Sequence, residues 1–155
     1  MKSSSKEIII EHSASNLYNI VLDIEKYPEF IPWCKEIIII SKSKNRILAD
    51  MLVSYKIFLP QTFRSDVTFN AKKLFIITNY IKGPLKNLNT KWSFIQLEKK
   101  ITKVKFEINF EFERTIHQKL AEIFFNLIEE KMIKSFKKRA EDILNYFIYF
   151  FKNCI

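Results

Sequence analysis

A single glycine stands among the 155 residues. Glycine-rich phosphate loops need several positions where backbone can approach a phosphate, so a nucleotide loop of that kind is excluded. Cysteine is almost as scarce: Cys34 lies early and Cys154 at the extreme C-terminus. Two distant lone thiols make no disulfide framework and fit a reducing compartment. The two histidines, His12 and His117, have no partner at metal-ligand spacing, and neither Cys-x-x-Cys nor His-x-His occurs. No metal and no cofactor are therefore expected. Long apolar runs are also missing. The nearest is "YFIYFF" at 146–151, far short of the roughly 20 residues of a membrane span. The opening "MKSSSKEIII" lacks the long apolar region of a signal peptide. A cytoplasmic protein is expected, with peripheral contact to the inner membrane left open.

Catalysis needs placed groups, and few are offered. Cys34 has no histidine near it in sequence, so a small buried thiol is a plainer reading than a nucleophile. Neither a nucleophile elbow nor a pair of carboxylates framing a cleft is seen. The expectation is a binding protein and not an enzyme.

What the chain has is apolar bulk and positive charge. Apolar residues make up 48% and aromatics 15%, enough for one domain over 1–155 with a sizeable core. The net charge is +9, from 26 basic and 17 acidic side chains. That favours a polyanionic partner such as a ribosome or an anionic membrane. No nucleic-acid-binding motif accompanies the charge, and DNA is not an expected partner. The alternative is compositional, since Lys, Ile, Asn and Phe crowd the chain as they do in AT-rich genomes.

Residues 6–12, "KEIIIEH", read as a short strand. Ser13 or Ser15 can cap a following helix, in which Leu17, Ile20, Val21 and Ile24 fall at i, i+3, i+4 and i+7. Pro28 should end that helix and Pro32 limit the next turn. This leaves "YPEFIPWC" (27–34) as a compact helical corner. Strand-like segments follow at about 35–41, 46–58, 62–70, 74–81, 88–97 and 101–112. In the last, Val104, Phe106, Ile108, Phe110 and Phe112 alternate with polar residues, which means one buried and one wet face. In 46–58, Ile47, Ala49, Met51, Val53, Tyr55 and Ile57 share a side. Short connections imply antiparallel hairpins. From about 115 to 150, Leu120, Phe124, Leu127, Ile128, Met132, Phe136, Ala140, Ile143 and Phe147 follow a helical period. An α+β fold satisfies this order: a curved antiparallel sheet of about seven strands gripping one long C-terminal helix.

The order of motifs also carries a resemblance. "YPEFIPWC" (27–34), "FRSDV" (63–67), "GPLKNL" (83–88), "WSFIQL" (92–97), "FEF" (110–112) and "MIKSFKKRA" (132–140) together resemble the coenzyme Q-binding protein and ribosome association toxin RatA family. That family is a branch of the START-like, polyketide cyclase-like superfamily. The resemblance runs over about residues 5 to 145. It implies the helix-grip fold. It also implies either a binder of a polyprenyl quinone such as ubiquinone, acting as a chaperone or carrier in respiration, or a ribosome-binding regulator of subunit association. Two departures stand out: Leu85 where an aromatic is common, and an unusually apolar C-terminal "NYFIYFFKNCI".

The inward phase of the strands and the opposing helix stripe place an apolar cavity between them. Its expected lining draws on Val53, Tyr55, Val67 and Phe69 of the early strands, then Trp92, Phe94, Phe106 and Phe110. The helix adds Phe125, Met132 and Phe136, and the corner adds Phe30 and Trp33. The alternative is that these side chains fill a solid core. The turns at 58–61 and 82–87 should flank the corner as a mouth, with Leu59 and Leu85 exposed. The remaining turns place Lys42, Lys44, Arg46, Lys72, Lys73, Lys99 and Lys100 at the opposite end as a basic, polyanion-binding rim. The long helix should bring Lys131, Lys134 and Lys138, plus Lys137 and Arg139, to that same rim. Glu29 reads as a charge near a helix N-terminus and not as an acid catalyst.

Overall fold

The computed structural model describes residues 1–55, 59–113 and 118–153, and within the last stretch it describes no side chains at 118–120, 122, 127, 129 or 146–153. Expectations for Ile57, His117 and Cys154, and for the side chains of Leu120, Leu127 and Phe147, lie outside the described residues.

Strand β1 (Lys2–Ile10) is longer than its apolar half because it pairs along β7, from Lys2 opposite Phe110 to Ile10 opposite Thr102. Pairing overrides the weak local preference of "SSS". The strand stops before His12, whose N–H turns back to the Ile10 carbonyl. Ser13 then caps α1 (Ala14–Leu22), its hydroxyl accepting from the Asn16 N–H at 3.4 Å. The apolar face of α1 buries Ala14, Leu17, Tyr18 and Val21.

Pro28 does not end this helix. The chain leaves α1 at Leu22, makes a 3-10 turn over Ile24–Lys26, and enters α2 (Tyr27–Phe30) with Pro28 in its first turn. A missing N–H deprives no hydrogen bond there. The corner is fastened by the Tyr27 hydroxyl, which donates to the Val21 carbonyl at the end of α1. It is closed by Cys34 N–H to the Ile31 carbonyl at 3.0 Å.

Six strands follow: β2 (Cys34–Lys42), β3 (Arg46–Val53), β4 (Gln61–Asn70), β5 (Phe75–Lys82), β6 (Leu85–Glu98) and β7 (Ile101–Phe112). They form one antiparallel sheet in the order β1-β7-β6-β5-β4-β3-β2. Strand β3 ends earlier than its alternation suggests, because the Ser54 N–H leaves the ladder for the Trp33 carbonyl at 2.9 Å. Strand β6 begins earlier, at Leu85, and this overturns the expectation that Leu85 is exposed. Its N–H and carbonyl both bond the Tyr80 hydroxyl (3.0 and 2.9 Å), it pairs with Phe112, and it is buried. Leu59 is 79% exposed, as expected.

The long helix is not uniform. α3 (Gln118–Asn126) passes through a π-helical stretch, Leu127–Met132, into α4 (Ile133–Asn153). The π stretch spaces the buried Ile128 and Ile133 five residues apart and returns the apolar stripe to the sheet at Phe136 and Ala140. The sheet wraps this helix from β7 to β4: Phe110 and Phe112 meet Phe124, and Phe63 stacks on Phe124 with centroids 6.0 Å apart. The architecture is the helix-grip fold.

The sole glycine has a steric reason. Gly83 adopts φ 150°, and a Cβ there would meet the Thr62 carbonyl oxygen at 2.8 Å and the Tyr80 hydroxyl at 3.0 Å. Gly83→Ala should destabilise the protein by about 1–3 kcal/mol, read as a lower midpoint with unchanged slope in urea unfolding. An unchanged midpoint would contradict this account of the turn.

Candidate functional site

Phe136 on α4 is the point where helix, corner and sheet meet. Its ring lies edge-on to Tyr27 (5.1 Å), Phe30 (5.2 Å) and Trp92 (5.0 Å). Tyr27 and Phe30 also touch each other at 5.8 Å. This cluster separates two spaces, one inside the grip and one on its outer surface.

The inner space is a cavity of about 60 Å³ between the corner and the sheet. Ile24 and Tyr27 form its corner side, and Met51, Phe63, Val67, Ile76 and Trp92 form most of its sheet side. Two hydroxyl residues interrupt this apolar wall: Ser65 on β4 and Thr78 on β5. A second void, of about 10 Å³, lies among Trp92, Phe94, Val104 and Phe136 beneath α1.

The residues expected to line one cavity are thus distributed. Val67 and Trp92 face the larger void, and Trp92, Phe94 and Phe136 the smaller. Phe106 lies tilted against Trp92 at 4.5 Å, and Phe110 is wholly buried against Phe112, Phe124 and Phe125. Val53 and Met132 pack at the margin of the core. Phe69 lies at the other end, on a surface pocket by the β2–β3 turn. Tyr55 holds Lys131, accepting from its ammonium at 2.7 Å. Ser65, Thr78, Met51 and Phe63 were not anticipated. All four share the inward phase of their strands, the one signal in the sequence that points to them.

Phe30 and Trp33 face the outer space, a groove of about 480 Å³ against α4. Its helical wall carries Lys131 from the π stretch and Lys134, Lys138 and Arg139 from α4. The three lysines and Arg139 therefore do not join the basic rim. The helix lines the groove beside the corner over this stretch, and Glu141, further along it, acts on the charge of His12 at the end of the sheet where the rim turns lie. On the rim, Arg46 is paired with Asp66 at 2.6 Å, and Lys42 and Lys44 share a pocket of about 330 Å³ with Asp23 and Glu25. Lys72, Lys73, Lys99 and Lys100 are exposed in their turns.

Electrostatics argue against a nucleophile at the corner. Burial pushes the Cys34 thiol up to about 11, so the thiolate is scarce at neutral pH. Burial likewise raises the Tyr27 hydroxyl. Hydrogen bonds from Lys26 and then Arg139 hold the Glu29 carboxyl below its ordinary range, which makes Glu29 a member of an ion pair. Among the described residues no three His, Cys, Asp or Glu side chains converge as a metal site. No described helix is long and apolar enough to cross a membrane.

Comparison with known proteins agrees with this architecture. The family described as polyketide cyclase / dehydrase and lipid transport matches residues 10–137. The chain belongs to that family. Within it, the ribosome association toxin RatA of Rickettsia prowazekii is 33% identical over 139 residues, covering 88% of this chain and 94% of the relative. The coenzyme Q-binding protein COQ10, mitochondrial, of Drosophila melanogaster is 29% identical over 136 residues, covering 85% of this chain and 55% of the relative. Two solved structures share the fold: the ZhuI aromatase/cyclase of a Streptomyces (TM-score 0.80, 12% identity, covering 90% of this chain and 93% of that one) and a START superfamily protein of Mycobacterium smegmatis (0.78, 19%, 91% and 98%). Membership of this family supports a role in binding hydrophobic ligands.

Cys34 offers a direct check of the corner. In a Cys154→Ser background, alkylation of native protein at pH 8 should be at least about 100-fold slower than in urea, since the thiolate fraction falls by roughly that factor. The native rate should climb as pH approaches 11. Rapid labelling at pH 8 would mean that the corner is open.

Proposed function

We propose that the protein binds a hydrophobic small molecule with a polar head, a polyprenyl quinone such as ubiquinone, and serves as its chaperone or carrier in support of respiration. The observation that carries this reading is the pair of hydroxyl residues, Ser65 and Thr78, in an otherwise apolar cavity beside Trp92. Apolar walls with a few convergent polar groups are what an amphipathic ring with a hydrocarbon tail requires. The hydroxyls donate to ring oxygens, and burial of the tail contributes about 25 cal/mol per Å². The family's lipid-transport description and the name of the insect relative point the same way.

The cavity of about 60 Å³ is smaller than the roughly 300–1,000 Å³ of ordinary ligand sites. Binding therefore entails a parting of sheet and helix, with the Phe63–Phe124 stack the contact to separate. Mass spectrometry of lipid extracted from freshly purified protein identifies any native ligand. Ubiquinone-1 should quench tryptophan fluorescence on titration. Ser65→Ala with Thr78→Val should weaken that binding about tenfold, because each lost hydrogen bond is worth about 0.5–1.5 kcal/mol. Quinone binding that is absent, or unchanged in the double variant, would overturn the reading.

A second reading is a ribosome-binding regulator. It is favoured by the near full-length match to proteins named as ribosome association toxins and by the net charge of +9. Ribosome co-sedimentation that falls with added salt would support it; no co-sedimentation at low salt would dismiss it.

A further inference from the structure

We infer that the outer groove between the corner and α4 is a binding site for single-stranded RNA. The inference deepens the second reading above by naming its surface, and it moves that surface away from the basic rim.

Three features make the groove more than a lysine-rich helix face. It is a concavity of about 480 Å³ with an apolar floor of Phe30, Pro32 and Trp33. Its outer cations are held in place. The Lys131 ammonium sits over the Tyr55 ring at 5.1 Å and bonds its hydroxyl, while the Arg139 guanidinium lies over the Phe30 ring at 5.1 Å and pairs with Glu29 at 2.8 Å. Between them Lys134 and Lys138 are exposed on the same wall, one helical turn apart. Lys35 adds a further cation at the corner, its ammonium bonded to the Pro32 carbonyl at 3.1 Å. Glu29 and Asp142 offset part of this charge, and Glu29 is itself shared between Arg139 and Lys26.

A positive wall facing an apolar floor suits a strand whose phosphates follow one side and whose bases lie on the other. From Lys131 to Lys138 the helix rises about 10 Å, enough to follow a short run of phosphates and not a single one. The guanidinium of Arg139, backed by Phe30, presents a plane on which a base can stack. A bilayer fits this surface poorly. Membrane contact needs projecting apolar side chains, whereas Trp33 is only 5% exposed and the groove wall beside it carries Lys131, Lys134 and Lys138.

The test is fluorescence anisotropy with a labelled ten-nucleotide oligouridylate. Anionic phosphatidylglycerol vesicles and polyglutamate serve as competing probes. Lys134→Glu with Lys138→Glu should weaken RNA binding at least tenfold and lower the salt slope by about 1.4, two contacts at about 0.7 each. Lys134→Gln with Lys138→Gln should give a smaller loss in the same direction, and circular dichroism of both variants should match the parent. Glu replacements at Lys72, Lys73, Lys99 and Lys100 should change affinity less than twofold. An equal loss from these rim replacements, no RNA binding by the parent, or vesicles or polyglutamate binding the groove in place of RNA would each overturn the inference. Ribosome co-sedimentation separates it from the reading beneath it. If the parent co-sediments and the Lys134/Lys138 variants do too, the groove assignment fails and the ribosome reading survives. If RNA binding depends on the groove but the parent ignores ribosomes, the ribosome reading fails and the groove assignment stands.

Discussion

The grip is held at Phe136. A curved sheet and a helix touch along a line, and the space beside that line must be filled or left empty. One ring from α4 reaches Trp92 on the sheet and Tyr27 and Phe30 on the corner at once. Edge-to-face pairs of this kind contribute about 0.5–1.5 kcal/mol each beyond burial. The larger effect is positional. The ring ties the corner, already fastened to α1 and β3, to the helix, and together with Phe124 it sets where the helix lies on the sheet. The π stretch just before Phe136 belongs to the same constraint, because it turns the apolar stripe so that this residue points inward.

The two spaces beside this contact differ in chemistry because they differ in which walls they share. The inner cavity is bounded by strand residues at inward phase and stays apolar apart from Ser65 and Thr78. The outer groove is bounded by the corner and by the solvent side of α4, where lysine is the commonest residue, so its wall is cationic over an aromatic floor. A single fold thereby presents one apolar interior space and one cationic outer groove. The named relatives in this family include both a ribosome association toxin and a coenzyme Q-binding protein.

Charge elsewhere is largely spent on the sheet's outer face. Arg64 makes a two-pronged contact with Asp50 at 2.8 Å on each arm, and Arg46 pairs with Asp66. These cross-strand pairs lie on neighbouring β3 and β4 and support their register. Each pair cancels one basic against one acidic group, so the net excess of +9 is carried by other side chains, exposed lysines of the turns and of the long helix among them.

The sequence alone carried the element order and most of the architecture. Period-2 alternation in Ile101–Phe112 and the helical stripe from Phe124 to Ala140 are strong signals because burial on one face leaves a direct trace in residue type. The turn lysines of the rim were legible too, since antiparallel order assigns each turn to an end. Other features had no local trace. The turn residues around Leu85 predict exposure, but the Tyr80 hydroxyl, five residues away, bonds both its backbone groups and draws it into β6. Pro28 looked like a helix stop, yet it begins a new helix because the chain had already turned at Asp23. The place of Lys131, Lys134 and Lys138 depended on how far the helix travels before it reaches the rim, which is a matter of packing at Phe136 and not of spacing. What a residue type prefers is written along the chain; which distant surface it meets is decided only when the sheet closes on the helix.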